Sequence, residues 1–293
     1  MSNTNSPLRY PGGKSSLTEH VAEILKLNRL QYGHYAEPYA GGCGLALGLL
    51  YRGYVSDIHI NDLDLSVWSF WHSILNRTEA FIDLMYRTPV TVEEWHRQRK
   101  IHRQGKRAKN FDRGFAAFFL NRTNRSGIIK NAGFIGGLKQ EGPYTIDCRF
   151  NKDNLSRRIR RIARYKGRIH LYQLDALDFL DFVENELPET TFCYIDPPYF
   201  NKGSSLYTSF YEEDDHAAVA ERVLRLPQSW IITYDQALEI RRLYKTRRQF
   251  RFSLNYSLQE KRLGSELLIA SKGLKIPKEL KSHQIHRPQR QAA

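Results

Sequence analysis

The sequence has few cysteines and no long hydrophobic run. Its three cysteines, Cys43, Cys148 and Cys193, lie far apart and show neither metal-ligand spacing nor a disulfide framework. No segment approaches the ~18 consecutive apolar residues that cross a membrane. The first residues are polar and include no apolar signal-peptide core. We therefore expect a cytoplasmic protein without a structural metal.

Acidic residues are scarce in one part of the chain. The protein has 45 Lys and Arg against 31 Asp and Glu, a formal net charge of +14. Residues 77–168 contain 23 basic and 8 acidic residues, a balance of +15, and the remainder, 22 against 23, is nearly neutral. A uniformly basic surface would serve solubility. A localised one favours a polyanion, and we expect nucleic acid.

The first part of the chain has the pattern of a βαβ unit. Residues 35–44 predict a strand and a glycine loop, 45–52 a helix, and 59–62 the end of a second strand that closes on an acid. Glycines after a strand let a ligand approach the backbone, and an acid after the next strand accepts from ribose hydroxyls in nucleoside-binding folds. The glycine loop alone is equally consistent with a tight turn.

Further elements follow after a basic, largely helical segment. The helix at 154–165 is amphipathic, with Leu155, Ile159 and Ile162 on one face and arginines on the others. The remaining predictions are strands at 169–174, 192–195 and 230–233, a helix at 215–226, and a closing hairpin of 250–257 and 266–270.

The tetrapeptide Asp196-Pro197-Pro198-Tyr199 follows the apolar run at 191–195. Two prolines fix φ and donate no hydrogen bonds, so the turn is stiff and its carbonyl groups remain free to accept. A carboxylate and carbonyl groups beside an aromatic ring suit the exocyclic amine of a nucleobase. The motif is typical of amino-methyltransferases.

Four blocks of sequence, in order, resemble the DNA adenine methyltransferase family, in the form whose target-recognition insert precedes this motif. The blocks are RYPGGK at 9–14, EPYAGGCG at 37–44, NDLD at 61–64 and DPPY at 196–199, with FLNRT at 119–123 and ELLI at 266–269 as further matches. The resemblance extends over residues 8–271.

This resemblance implies an α/β fold, the Rossmann-like fold of S-adenosylmethionine-dependent methyltransferases, with a mixed, mostly parallel sheet and an inserted, mainly helical target-recognition domain. The texture of the chain changes at 67–154, where helical patterns alternate with charged stretches, so we expect the DNA target-recognition insert there and the catalytic domain at 1–66 and 155–273. The basic tail at 274–293 is expected to be partly disordered.

The resemblance also implies an activity: site-specific methylation of adenine N6 in double-stranded DNA, with S-adenosyl-L-methionine as the cofactor. Asp196 and the Pro197 carbonyl would accept the hydrogens of the adenine amine. The base must leave the duplex to reach this site, and Tyr199 would then stack on it. Aromatic residues at Tyr207, Phe210 and Tyr211 are candidates for lining a nearby loop.

The resemblance also assigns cofactor-binding residues, each at the position of this sequence that matches the family's motif. Asp175, which closes a strand, is a weaker candidate for the cofactor's adenine edge, and a helix N-cap ahead of Leu177 is an equally good interpretation. The residues implied to contact the cofactor are Tyr10, Lys14, Asp62 and Asp196, with Glu37 and Gly41 lining its pocket.

For DNA, we expect the insert loop to reach base edges and the arginine-rich helix to reach phosphates. The loop candidates are Asn124, Arg125 and Lys130, and the helix candidates are Arg157 and Arg161. The insert departs from better-known family members after FLNR, so the recognised sequence does not carry over.

Three alternatives remain at this point. The same chemistry can act on the N4 amine of cytosine or on RNA, and a methyltransferase fold can bind nucleic acid without activity. Asp as the first residue of DPPY favours adenine. The sequence does not identify a cognate restriction or defence partner, and it leaves the oligomeric state open.

Overall fold

A computed structural model of the protein describes residues 5–10, 13–200, 211–256, 262–281 and 284–286. Its centre is a mixed sheet with the strand order β3-β2-β1-β4-β5-β7-β6-β8. The strands are β1 His34–Glu37, β2 Asp57–Asn61, β3 Ile169–Tyr172, β4 Phe192–Ile195, β5 Ser229–Tyr234, β6 Arg248–Tyr256, β7 Arg262–Ala270 and β8 Gln284–His286. The first five are parallel, and β6, β7 and β8 pair antiparallel.

Helices cover both faces of the sheet. They are α1 Thr18–Leu27, α2 Gly44–Tyr51, α3 Leu65–Asn76, α4 Thr78–Arg87, α5 Val92–Arg103, α6 Asn110–Thr123, α7 Lys152–Arg164, α8 Ala176–Glu186, α9 Glu213–Arg225, α10 Leu238–Leu243 and α11 Lys278–Lys281. Short 3-10 turns occur at Lys14–Leu17, Gly105–Arg107, Arg125–Gly127 and Lys166–Arg168. No helix within the described ranges is long and apolar enough to span a membrane.

Two hydrophobic clusters form because neighbouring residues of a strand point to opposite faces. Tyr35 and Ile231 belong to the cluster under α1, α2, α3, α6 and α7, whereas their neighbours Ala36 and Ile232 belong to the cluster under α8, α9 and α10. Both faces of the central strands are buried, as is usual for a parallel sheet. β4 is apolar throughout, whereas β1 and β2 also bury polar residues, among them Glu37 and His59.

The α/β class and the mostly parallel sheet confirm the predicted fold, and each strand predicted from the sequence has an observed counterpart. The amphipathic helix is confirmed as α7, with Leu155, Ile159 and Ile162 buried. Cys193 is fully buried within β4. Of the aromatic residues expected to line a loop, Tyr207 and Phe210 lie outside the described residues.

The expected insert at 67–154 shares a core with the sheet. Phe70, Trp71 and Phe118 belong to the same buried cluster as residues of β1 and β2. The predicted boundaries at 66/67 and 154/155 fall inside α3 and α7, which are continuous helices. The sequence signal was a change in charge, and that change does not coincide with a break in packing.

The first part of the basic tail is ordered, although the tail was expected to be partly disordered. Leu274 and Ile276 are buried in the cluster under α1 and α2, and β8 adds a strand beside β6. Leu274 and Ile276 thus attach the first part of the tail to the core. Residues 287–293 lie outside the described part of the structure.

Candidate active site

The glycine loop, Asp62 and the turn at Asp196 meet at one edge of the sheet. They follow β1, β2 and β4, which are neighbours and run parallel, so their carboxyl ends lie side by side. The strand order also reverses direction here, between β1 and β4. In open α/β sheets, ligands bind in the crevice at such a switch point.

Lys14 is the buried cation of this site. Its Nζ lies 3.1 Å from Asp196 Oδ2 and 3.4 Å from Glu266 Oε1, and it donates to the Tyr199 hydroxyl over 3.1 Å. A buried lysine is tolerated where carboxylates compensate its charge. Lys14 therefore joins the segment ahead of α1, the turn after β4, and β7.

Glu266, on β7, is the most buried carboxylate of the network, with 2% of its surface exposed. Its Oε1 accepts hydrogen bonds from the Tyr199 hydroxyl and from Lys14, while its buried Oε2 has no hydrogen-bond partner among the residues that the structure describes. Burial raises the pKa of Glu266 to about 7; the charge of Lys14 opposes this rise, and that of Asp196 adds to it.

Asp196 is held from the neighbouring strand. Thr233 Oγ1 on β5 donates to Asp196 Oδ1 over 2.7 Å, and the Tyr194 hydroxyl lies 2.9 Å from the same threonine. Beyond the motif, Phe200 N donates to Asp235 Oδ1 over 3.0 Å. The Asp-Pro-Pro-Tyr turn is thus fixed at both ends, and its carboxylate is 21% exposed at the crevice.

The glycine loop wraps around Asp62. Gly41 N donates to Asp62 Oδ2 over 2.8 Å, and Asp64 N donates to Oδ1 over 2.9 Å. Gly41 has φ 46°, and a Cβ there would lie 2.6 Å from the ring of Tyr10. The glycine is therefore required both by its left-handed backbone and by the close approach of Tyr10.

Two further carboxyls at this edge have raised pKa values. Burial, helped by the Asp64 charge, raises the pKa of Asp62 to about 7. Burial raises the pKa of Glu37 to about 8, against the hydrogen bond it accepts from the Tyr35 hydroxyl. Acids outnumber the single lysine here, so the residues present suit a ligand that brings positive charge and hydroxyl donors.

Comparison with known proteins gives the site its context. A sequence model of the D12 class N6 adenine-specific DNA methyltransferases matches residues 10–258, most of the chain. The protein belongs to this family. A search of curated proteins finds no match.

Among solved structures, three similarities cover most of the chain. A conserved hypothetical protein from Streptococcus pyogenes is 11% identical over 87% of this chain and 96% of its own, with a TM-score of 0.34. A candidate RNA methyltransferase from Pyrococcus horikoshii is 8% identical over 90% and 86%, at 0.42. A Legionella pneumophila protein is 9% identical over 92% and 88%, at 0.37. These low scores do not bear on function.

Asp175 of the methyltransferase caps a helix. Its carboxylate accepts from Leu177 N over 2.9 Å at the start of α8. The N-cap interpretation of Asp175 is therefore confirmed. Its second suggested role, at the cofactor's adenine edge, stays a prediction; Asp175 follows β3, the strand next to the one that ends at Asp62.

Asn124 has a different place from the one expected. It is 1% exposed, its Oδ1 accepts from Trp95 Nε1 over 2.6 Å, and its Nδ2 donates to Ile128 O over 2.7 Å. A buried amide with both ends engaged does not reach a groove edge. Asn124 instead stabilises the turn that carries Arg125, and we correct its assignment as a base-reading residue.

The other two loop candidates lie on the surface. Arg125 is exposed, at the start of the 3-10 turn Arg125–Gly127. Lys130 is 41% exposed and its Nζ lies 3.4 Å from Asp64 Oδ2. Because Asp64 N binds Asp62, Lys130 connects the insert loop to the acidic side of the crevice.

The two arginines predicted to contact phosphates, Arg157 and Arg161, lie one turn apart on α7 and have different surroundings. Arg157 is exposed, and its Nε donates to Asp153 O over 3.3 Å. The Arg161 guanidinium stacks 3.9 Å above the ring of Tyr51, the last residue of α2. Since α2 begins at the glycine loop and runs away from it, Arg161 lies about one α2 length, roughly 12 Å, from the crevice. Both remain predictions as phosphate contacts.

Two residues of the site, Glu266 and Thr233, were not predicted to have a role in it. Glu266 stood in the matching block ELLI, which was a usable signal. Glu266 directly precedes the apolar residues at 267–270, and a carboxylate in such a buried stretch is rarely found without a partner. Thr233 gave no signal, because threonine is common in strands.

Proposed function

We propose that the protein transfers a methyl group from S-adenosyl-L-methionine to N6 of one adenine flipped out of double-stranded DNA. Membership of the D12 class supports adenine-N6 methylation of DNA. The observation that supports the catalytic assignment is the position of Asp196 at the carboxyl end of β4, beside the loop of β1 and the acid of β2.

The crevice residues fit this cofactor. S-adenosyl-L-methionine supplies an electrophilic methyl group on a positively charged sulfur. Asp62 would accept from the ribose hydroxyls, since its two oxygens each receive one backbone N–H and retain further lone pairs. Tyr10, packed on Gly41, would cover the ligand, and Glu37, held by the hydrogen bond from the Tyr35 hydroxyl, would line the pocket.

Asp196 and the Pro197 carbonyl would accept the two amine hydrogens of the adenine. The amine lone pair is otherwise delocalised into the ring, so these acceptors favour a geometry in which it points at the methyl group. With the methyl group on N6 and the electron pair of the broken carbon–sulfur bond left on sulfur, the Asp196 carboxylate would take up the one proton that the amine releases. Alignment and charge placement supply most of the acceleration.

Tyr199 would stack on the flipped adenine, and Glu266 would hold the Tyr199 side chain in place. The hydroxyl of Tyr199 is bound to Glu266 and to Lys14, which fixes the orientation of the ring. We assign Glu266 as a positioning residue. Its carboxylate also lies 3.4 Å from Lys14 Nζ and so compensates the buried charge of that side chain.

The test is Asp196→Ala in a methyl-transfer reaction with a labelled methyl donor and duplex DNA. Loss of the acceptor at the reacting amine should abolish transfer, while duplex binding persists because the carboxylate does not meet phosphates. Glu189→Gln, an exposed change ahead of β4, is the control and should keep full activity. Near-normal turnover of Asp196→Ala would contradict the assignment.

A further inference from the structure

Three arginines meet where the segment ahead of α1 crosses the insert. Arg122, in the last turn of α6, donates from Nε to Arg149 O over 2.7 Å and from Nη1 to Pro7 O over 3.5 Å. Arg9 Nη1 donates to Asn124 O over 3.1 Å. We propose that Arg9, Arg122 and Arg149 form a binding site for a backbone phosphate of the DNA. This proposal rests on the proposed function.

The charges of this cluster are not neutralised by acids. In the described part of the chain, none of the three arginines forms an ion pair with a carboxylate. Burial, reinforced by the charges of Arg9, Arg158 and Arg149, lowers the pKa of Arg122 to about 9. Burial and Arg149 likewise lower the pKa of Arg9. Repulsion of this kind is relieved when an anion binds between the guanidinium groups.

Donors remain for such an anion. A guanidinium carries five N–H groups in a planar fork that matches two phosphate oxygens. Arg9 uses one Nη1 donor on a carbonyl group, and Arg149 is exposed, with its guanidinium 5.8 Å from the ring of Tyr144. The carbonyl groups that hold Arg122 orient its fork without neutralising it.

The cluster is rigidly connected to the active site. Asn121, fully buried, accepts from Arg9 N over 2.7 Å and donates to Arg9 O over 2.8 Å and to Gly127 O over 2.7 Å. A Cβ on Gly127 would lie 2.1 Å from Arg9 O, so the insert turn touches the Arg9 backbone directly. The next residue, Tyr10, packs on Gly41. A phosphate held here would set the register of the duplex relative to the crevice.

A DNA phosphate is the anion that fits best. The cofactor carries no phosphate, and the cluster is formed by the insert and the chain ahead of the pocket. A phosphate contact adds affinity that is independent of base sequence and that weakens with salt. This behaviour separates the site from base-reading residues such as those expected in the turn at Arg125.

The experiment measures binding of Arg149→Gln and Arg9→Gln to matched and mismatched duplexes over a series of salt concentrations. Each variant should bind both duplexes about tenfold more weakly, with a salt slope reduced by about 1. Arg225→Gln is the control; this exposed arginine pairs with Glu221 on α9 and should change neither quantity. Cofactor affinity of Arg149→Gln, measured by calorimetry, should stay at the wild-type value.

Two outcomes overturn the proposal separately from the proposed function. If the wild-type protein binds duplex DNA with a steep salt slope and both variants keep that slope, the cluster is not a phosphate site. If the variants alter the preference between matched and mismatched duplexes, the cluster reads bases instead. A wild-type protein that binds no duplex overturns the proposed function, and this site with it.

Discussion

At the residue scale, the site depends on one lysine shared among three partners. Lys14 lies within 3.4 Å of Asp196, Tyr199 and Glu266, and it comes from a part of the chain distant in sequence from all three. The turn after β4 therefore does not act alone. Its carboxylate and its ring are both positioned by residues that precede α1 and by β7.

Glu266→Gln tests this arrangement. The variant keeps an oxygen for the Tyr199 hydroxyl but removes the charge that faces Lys14. A lost charged hydrogen bond of about 1.5–3 kcal/mol predicts a fall in kcat of about 10- to 100-fold. Cofactor affinity should change little. A purely structural role would instead reduce the amount of folded protein and leave kcat per folded molecule unchanged, and that result would remove Glu266 from the positioning network.

Asp62→Ala tests the cofactor pocket. Loss of a charged acceptor for two hydroxyls should weaken S-adenosyl-L-methionine binding by about 1.5–3 kcal/mol, while binding to duplex DNA is retained. Calorimetry with the cofactor measures this directly. An unchanged dissociation constant would exclude Asp62 from the pocket.

At the element scale, the βαβ unit was predictable because its first strand ends in a glycine loop and its second in an acid, and β4 because it is a continuous apolar run that ends in turn residues. The predicted strand at 192–195 coincides with β4, and the predicted hairpin with β6 and β7. The insert boundaries were not predictable, because α3 and α7 bury apolar faces in the common core while their exposed faces differ in charge.

The candidate site was predictable only in part, since sequence motifs do not specify which residues come close in space. The motif blocks supplied Lys14, Asp62 and Asp196 but not the ion pairs of Lys14 with Asp196 and Glu266. The burial of Asn124 was not predictable either, because it depends on Trp95 from another helix. A polar residue in a glycine-rich loop gives no indication of which side chain will cover it.

The insert turn and α7 should differ in what they contribute to DNA binding. Arg157→Gln should weaken binding to all duplexes alike and reduce the salt slope by about 1, and Arg161→Gln should do less, because it stacks on Tyr51 at the far end of α2. Arg125→Ala or Lys130→Ala should change the preference between duplexes. Matched and mismatched duplexes titrated at several salt concentrations separate these effects. A change of preference caused by the α7 arginines would reverse this division.

At the scale of the whole molecule, binding of the cofactor should depend on pH, because it is linked to the ionisation of Asp62. The pKa of Asp62 is raised to about 7 from an ordinary value near 3.8, so below pH 7 the ligand-free protein mostly holds that proton. The ionised carboxylate is the form that favours a cationic, hydroxyl-bearing ligand. Cofactor affinity should therefore fall as pH drops from 8 to 6, approaching tenfold per unit below pH 7.

The raised pKa of Asp62 also predicts how the free energy of unfolding changes with pH. A carboxyl whose pKa is higher in the folded than in the unfolded protein stabilises the fold at low pH, and this contribution is lost as pH rises towards 7. Calorimetry in buffers of different ionisation enthalpy should show proton release on cofactor binding near pH 7. A pH-independent affinity without proton release would contradict a raised pKa for the half-buried Asp62.

The charge distribution of the chain also belongs to this scale. The excess of basic residues at 77–168 falls on the part of the chain that includes the insert, and the crevice itself is acidic. One surface would attract the polyanionic duplex, and the other would hold a cationic cofactor. The two ligands need not compete for the same charges.

The most direct test is single-molecule sequencing of DNA from cells that express the protein or its Asp196→Ala variant. We expect N6-methyladenine in one recurring sequence context with the wild-type protein, and none above background with the variant. Methylation of cytosine N4, methylation confined to RNA, or equal N6-methyladenine in both samples would contradict the account.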